Sequence, residues 1–169
     1  MPIRPEANVD AAGIRAVNEA AFESFAEADI VDALRAKGGE VVSLVAERDG
    51  VIVGHIMFSR VSLAGHDELK LMGLGPMAVL PRLQRHGIGS ALVREGLSRC
   101  GQLGACAVVV VGHPQYYPRF GFVRASRYGI RCRYDVPDDV FMIAELTLGA
   151  VRGVSGLVLY DEAFDGERR

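Results

Sequence analysis

At 169 residues, half of them apolar, the chain is long enough to bury a substantial core as one domain. A formal charge of −2 gives no basic footprint for nucleic acid, and no apolar run reaches the roughly 18 residues of a membrane span. Cys100, Cys106 and Cys132 are odd in number and lack C-x-x-C spacing, which argues against a disulfide framework and a zinc site.

The opening residues lack the apolar stretch of a signal peptide, so a cytoplasmic location is expected. Ile3 and Arg4 read as a short strand. Asn8 or Asp10 can then cap a helix that runs to about Phe22, with Ile14, Val17, Ala21 and Phe25 at helical spacing. A second helical stretch, residues 27–37, stops at Gly38-Gly39. Two β-rich runs, residues 41–47 and 51–61, flank Asp49-Gly50, a strong hairpin signal. After a polar turn at residues 64–68, residues 69–79 read as a buried strand interrupted by Gly73, Gly75 and Pro76. Those residues do not suit a regular ladder and point to a bulge, a splay from the neighbouring strand or a close approach by something else.

An amphipathic helix follows from Gly89 to about Gln102, with Leu92, Val93, Gly96, Leu97, Cys100 and Leu103 on one face. Residues 105–111 form the continuous apolar run expected of a central strand covered on both faces. The strand–helix–strand order makes these two strands parallel within a mixed sheet. Residues 141–146 and 156–160 read as further strands that complete the sheet or contribute to a dimer. No linker, repeat or low-complexity segment interrupts the chain, and a single domain over residues 1–169 is expected.

The most informative stretch is V-L-P-R-L-Q-R-H-G-I-G-S-A-L, residues 79–92. A strand ends, a short polar link carries Gln84-x-x-Gly87-x-Gly89, and a helix begins. A helix start presents unpaired N–H groups and partial positive charge, and the glycines let a ligand approach them. A phosphate or pyrophosphate site follows. Gly89 has Leu92 three positions on, unlike a dinucleotide fingerprint, and no Lys follows it, unlike a P-loop. Glycines used for tight helix packing would give the same spacing. A second segment, G-H-P-Q-Y-Y-P-R-F-G-F at residues 112–122, lies about thirty residues downstream beyond the next strand.

Together, the Q/R-x-x-G-x-G/A loop and the Tyr117-Pro118-Arg119-Phe120-Gly121-Phe122 segment resemble the GNAT N-acetyltransferases, including a bacterial subgroup with a similar G-H-P-x-Y-Y-P-R-F-G-F texture. The resemblance covers most of the chain. It implies an α/β fold with a mixed, mostly antiparallel sheet flanked by helices and a splayed parallel strand pair. It also implies acetyl-CoA as co-substrate and transfer of its acetyl group to a primary amine of a small molecule or protein, by direct attack in a ternary complex. By the same resemblance, Met77, Ala78 and Val79 would pair with the pantetheine arm, and an N–H near Ala78 or Val79 would polarise the thioester carbonyl. The amides of Arg85, His86, Gly87, Ile88, Gly89 and Ser90 would hold the pyrophosphate, with Gln84 buttressing the loop. Tyr117 would protonate the leaving thiolate, although a packing tyrosine is an equal reading.

A general base is harder to find. Some GNAT enzymes carry a Glu on or near the strand before the loop, but residues 69–79 contain no acid. Glu68, Asp67, Glu19, Glu23 and Glu27 remain candidates. Phe22, Glu27 and His113 are expected at the acceptor side, with helix packing or a turn as their plainer roles. His55 reads as a satisfied core residue and His86 as a solvent-facing one, and the four histidines show no metal-site spacing. The missing strand acid leaves open a second reading, a non-catalytic acyl-CoA sensor or scaffold. A nucleotide-phosphate binder is a third. No nucleic-acid or membrane partner is expected, and a monomer or homodimer fits equally.

Overall fold

A computed structural model describes residues 2–165. Its main sheet begins with β1 (Ile3–Pro5), β2 (Val41–Arg48), β3 (Val51–Leu63) and β4 (Leu71–Val79), each antiparallel to the next. β5 (Ala107–Val111) then lies parallel to β4, and β8 (Phe141–Glu145) lies antiparallel to β5 with β6 (Val123–Arg124) at the edge. A smaller sheet forms where β7 (Ile130–Cys132) and β9 (Gly156–Leu159) run parallel and β9 pairs with the far end of β3. The mixed, mostly antiparallel sheet with one parallel crossover is the expected architecture. Both C-terminal runs complete sheets, and β6 and β7 are too short to announce themselves in the sequence.

The hairpin signal holds: Asp49 and Gly50 both take positive φ, 52° and 77°, as a type I′ turn requires. Helix α1 (Ala11–Phe22) and helix α2 (Ala26–Lys37) lie on one face of the sheet and α3 (Ile88–Gln102) on the other. Alternation along the strands feeds both cores. Val45 and Met57 pack with Ile14, Ile30, Val31 and Leu34, whereas Leu44, Ile56 and Phe58 pack with Leu92 and Val93. Asp10 does not cap α1. Its carboxylate turns back to the Ala7 N–H at 2.6 Å and the Arg4 guanidinium at 2.7 Å, so it fastens β1 to the helix entry.

β3 is covered on both faces, and its one buried titratable group is His55. Asn18 donates from Nδ2 to the Ile14 carbonyl (3.0 Å) and to His55 Nδ1 (3.2 Å), which leaves His55 Nε2–H to donate to Ser43 Oγ at 2.9 Å. This is the core role expected for His55. Desolvation pulls its pKa down to about 4 from an ordinary 6.5. Above pH 6.5 the ring is neutral whether the chain is folded or unfolded, and no pH dependence arises. Between pH 6.5 and 4 only the unfolded chain takes up the proton, so stability falls with pH and the loss is complete below 4. The full loss is about 3 kcal/mol. Urea titrations across this range will show it, and His55→Gln will flatten the slope.

Candidate active site

The cleft originates in β4. β4 and β5 are paired from Leu71 opposite Ala107 to Leu74 opposite Val110, and the pairing ends there. On the other side, Met57 of β3 stands opposite both Gly75 and Pro76, a bulge that turns β4 away from β5. The Gly75-Pro76 bond is cis, and Gly75 has a φ of 148°. The irregularity foreseen at these residues is therefore the point where the two parallel strands part.

Beyond the bulge, the Leu80 N–H bonds to the Val53 carbonyl and fixes the phase of the ladder. Alternation then directs the backbone groups of Ala78 at β3, where His55 is its partner, and those of Met77 and Val79 at the opening. An N–H free for a ligand therefore belongs to Val79 or Met77. The expectation of an Ala78 N–H at the thioester carbonyl is corrected by this register, because that N–H faces β3. The Val79 carbonyl accepts from Gln84 Nε2 at 3.1 Å, so Gln84 braces the loop against the strand as expected.

Past β4, a 3-10 turn over Pro81–Leu83 leads to Arg85 and Gly87, both with positive φ (66° and 85°), and then to α3. The first helical bond runs from the Ala91 N–H to the Gly87 carbonyl. The amides of Ile88, Gly89 and Ser90 therefore precede the ladder, and no side chain caps them. They front a pocket lined by Gln84, Arg85, Gly87, Gly89, Tyr116 and Arg119, among others, with two guanidinium groups and no acid. It is built to take an anion.

His86 does not join it. The ring turns away, with Nδ1 against the Gln84 and Leu83 carbonyls (2.8 and 3.2 Å), and lines a separate surface hollow beside Arg48 and Arg82. Tyr116 and Arg119 are the members that sequence reasoning missed. Ser90 Oγ and Tyr116 Oη lie 3.0 Å apart, Arg119 Nε donates to the Tyr116 carbonyl at 2.8 Å, and its guanidinium stacks 4.5 Å from the Tyr116 ring centroid. Their i, i+3 spacing in a Pro-containing turn was the available signal.

The second pocket, about 300 Å³, opens at the β4–β5 divergence. Leu74, Met77, Val110 and Gly112 form its floor, and Tyr117 and His113 flank it. Phe22 and Glu27 reach it from α1 and α2, so the three expected acceptor-side residues come together. Tyr134, Tyr160 and Phe164 close the far wall, and none of these was anticipated. Tyr134 comes from the link after β7, and Tyr160 and Phe164 arrive through the C-terminal segment, which Lys37 of α2 holds by Asp161 (2.8 Å) and Glu162 (3.2 Å).

Glu27 is 9% exposed and its Oε1 is buried without a hydrogen-bond partner. The other acids considered, Glu19, Glu23, Asp67 and Glu68, do not line the pocket. The Tyr117 ring packs edge-on to Tyr116 (5.0 Å) and Phe122 (5.6 Å), and burial pushes its phenol up, so it is protonated at neutral pH. Among the described residues, no three His, Cys, Asp or Glu side chains gather to hold a metal ion, and no helix is long and apolar enough to cross a membrane.

Residues 12–122 match the model of the acetyltransferase (GNAT) family. The chain belongs to that family. It is 40% identical over 166 residues to YhbS of Escherichia coli K12, an uncharacterized N-acetyltransferase, which spans 98% of this chain and 99% of the relative. YjhQ of the same organism, also an uncharacterized N-acetyltransferase, is 38% identical over 134 residues, covering 77% of this chain and 74% of the relative. The crystal structure of YhbS in complex with CoA superposes with a TM-score of 0.92 over 97% of this chain and 91% of the other, at 40% identity. A Brucella melitensis GNAT acetyltransferase in complex with acetyl-CoA gives 0.81 at 41% identity, over 97% of each chain. The GNAT fold thus accounts for the sheet, the splayed pair and the loop.

One glycine sets the position of Tyr117. A Cβ at Gly112 would collide with the tyrosine ring, so only glycine lets the ring lie against the end of β5. Gly112→Ala is expected to lower stability by about 1–3 kcal/mol through overpacking, read as a lower urea midpoint at unchanged m-value.

Proposed function

We propose that this protein is an acetyl-CoA-dependent N-acetyltransferase, acting as one domain in the cytoplasm, that acetylates a primary amine by direct attack. The observation that carries this reading is the opening between β4 and β5, with an anion pocket at one end and a pocket holding Glu27 and Tyr117 at the other. The cofactors bound by the two similar structures support it.

Acetyl-CoA would lie along Met77–Val79, its diphosphate on the amides of Arg85 and residues 87–90 beside Arg119 and its thioester near Tyr117. The Met77 N–H, at the pocket that holds Tyr117, is the donor suited to the thioester carbonyl. An ammonium near neutral pH is almost wholly protonated, so a base must act first. Glu27 is the acid suited to this step, because it is buried at the pocket and its Oε1 has no hydrogen-bond partner.

The carboxylate takes one proton from the ammonium. The nitrogen lone pair forms a bond to the carbonyl carbon, giving a tetrahedral oxyanion. The C–S bond then breaks and the Tyr117 O–H protonates the departing thiolate; the second proton leaving nitrogen restores the Tyr117 O–H, and Glu27 releases its proton to solvent. One amide, one thiol and one net proton result. Glu27 also supplies the acid whose absence from β4 favoured a sensor without turnover.

Calorimetry with acetyl-CoA, and ATP as control ligand, tests the cofactor. Micromolar binding of acetyl-CoA without ATP binding is expected, and Gly87→Val, placed where φ is 85°, should abolish it with the fold retained. Equal affinity for ATP would defeat the reading. Tyr117→Phe should lower kcat roughly 10- to 100-fold with acetyl-CoA affinity nearly unchanged. A large loss of binding would instead assign Tyr117 to packing.

A further inference from the structure

The acceptor pocket carries information about its substrate beyond the presence of an amine. Its outer walls are aromatic: Phe22 at the mouth, with Tyr134, Tyr160 and Phe164 opposite. Tyr160 stands between the other two wall rings, its centroid 5.5 Å from that of Tyr134 and 5.6 Å from that of Phe164, so the three form one continuous surface. Within this lining Glu27 is the sole carboxylate, and it is nine-tenths buried with Oε1 unpartnered.

A buried carboxylate with an unsatisfied oxygen is costly, and a cation brought to it relieves that cost. The lining offers such relief to one cation. A second ammonium on the same molecule would be stripped of water against aromatic and aliphatic side chains with no counter-ion. Aromatic walls instead favour a flat or aliphatic body, and their faces tolerate the single ammonium as it passes. A volume of about 300 Å³ stands at the lower end of small-molecule sites.

We infer that the acceptor is a small monoamine, one primary ammonium on an apolar or aromatic body, rather than a polyamine, an aminoglycoside or a protein amine. This inference rests on the acetyltransferase reading above. It adds a selectivity rule: Glu27 admits one positive charge, and Phe22 with the Tyr134–Tyr160–Phe164 wall receives the body.

The test measures thiol release from acetyl-CoA with 2-phenylethylamine and pentylamine, against spermidine, kanamycin and a lysine-containing peptide. The kcat/KM for the two monoamines should exceed that for the polycations and the peptide by at least about tenfold. Phe22 is 38% exposed, so Phe22→Glu should leave the fold intact. With a second carboxylate at the mouth, it should narrow or reverse the preference for 2-phenylethylamine over spermidine. Preference of the unmodified protein for spermidine, kanamycin or the peptide would overturn the monoamine assignment and leave the acetyltransferase reading standing. An unchanged preference in Phe22→Glu would likewise remove the charge rule. Turnover of no amine by protein that binds acetyl-CoA would overturn the acetyltransferase reading, and the monoamine assignment with it.

Discussion

The loss of pairing between β4 and β5 after Leu74 is the constraint on which the rest of the molecule depends. A parallel pair that stayed in register to the end of both strands would bury the backbone groups of Met77 and Val79 in ladder bonds. The two-residue bulge at Gly75-Pro76 prevents this by turning β4 aside while its antiparallel partner β3 continues to hold it. Unpaired strand groups inside a protein are unfavourable unless something else satisfies them. Gln84 takes the Val79 carbonyl, and the remaining groups face the side that β5 has left, Met77 at one pocket and Val79 at the other. One local irregularity therefore creates the opening and the polar rail along it.

A splayed strand needs rigid support, and the two cores provide it from opposite faces. Phe58 lies where a Cβ at Gly96 would overlap its ring, so α3 approaches β3 closely enough for its N-terminus to reach the end of β4. On the opposite face, the Asn18–His55–Ser43 chain fixes α1 to the middle of β2 and β3. That chain leaves His55 neutral and costs stability in acid, but it fixes how α1 sits on the sheet that holds the acceptor pocket. The Lys37 clasp does similar work at the C-terminus, holding the segment between Tyr160 and Phe164 against α2.

Much of this was legible in the sequence because its causes are local. The Asp49-Gly50 turn, the amphipathic α3, the apolar β5 and the glycine loop each follow from periodicity or backbone freedom within a few residues. The break in β4 was visible for the same reason, since Gly75 and Pro76 cannot serve a regular ladder. What escaped depends on contacts distant in sequence. Tyr160 and Phe164 meet Glu27 only because β9 pairs with the far end of β3 and returns the chain to α2. Arg119 enters the anion pocket by stacking on Tyr116, a geometry that neither residue type dictates alone. The direction of the Ala78 amide needed the ladder phase, which a single bond between Leu80 and Val53 decides.

The strand preceding the loop contains no acid. The buried Glu27 instead enters the pocket from the first turn of α2, where a negative charge also suits the helix dipole. The turn at Glu23, in the left-handed region with φ 51°, reverses the chain so that α2 delivers this residue beside Phe22. In the proposed reaction, base and mouth thus belong to one α1–α2 unit, while Tyr117, on the thiolate side, belongs to the segment after β5. The reacting atoms would meet between two supports whose separation is set by the divergence of β4 from β5. On that proposal a change in the α1–α2 turn would act on the amine and its proton, whereas a change at Gly112 or Tyr117 would act on the leaving group.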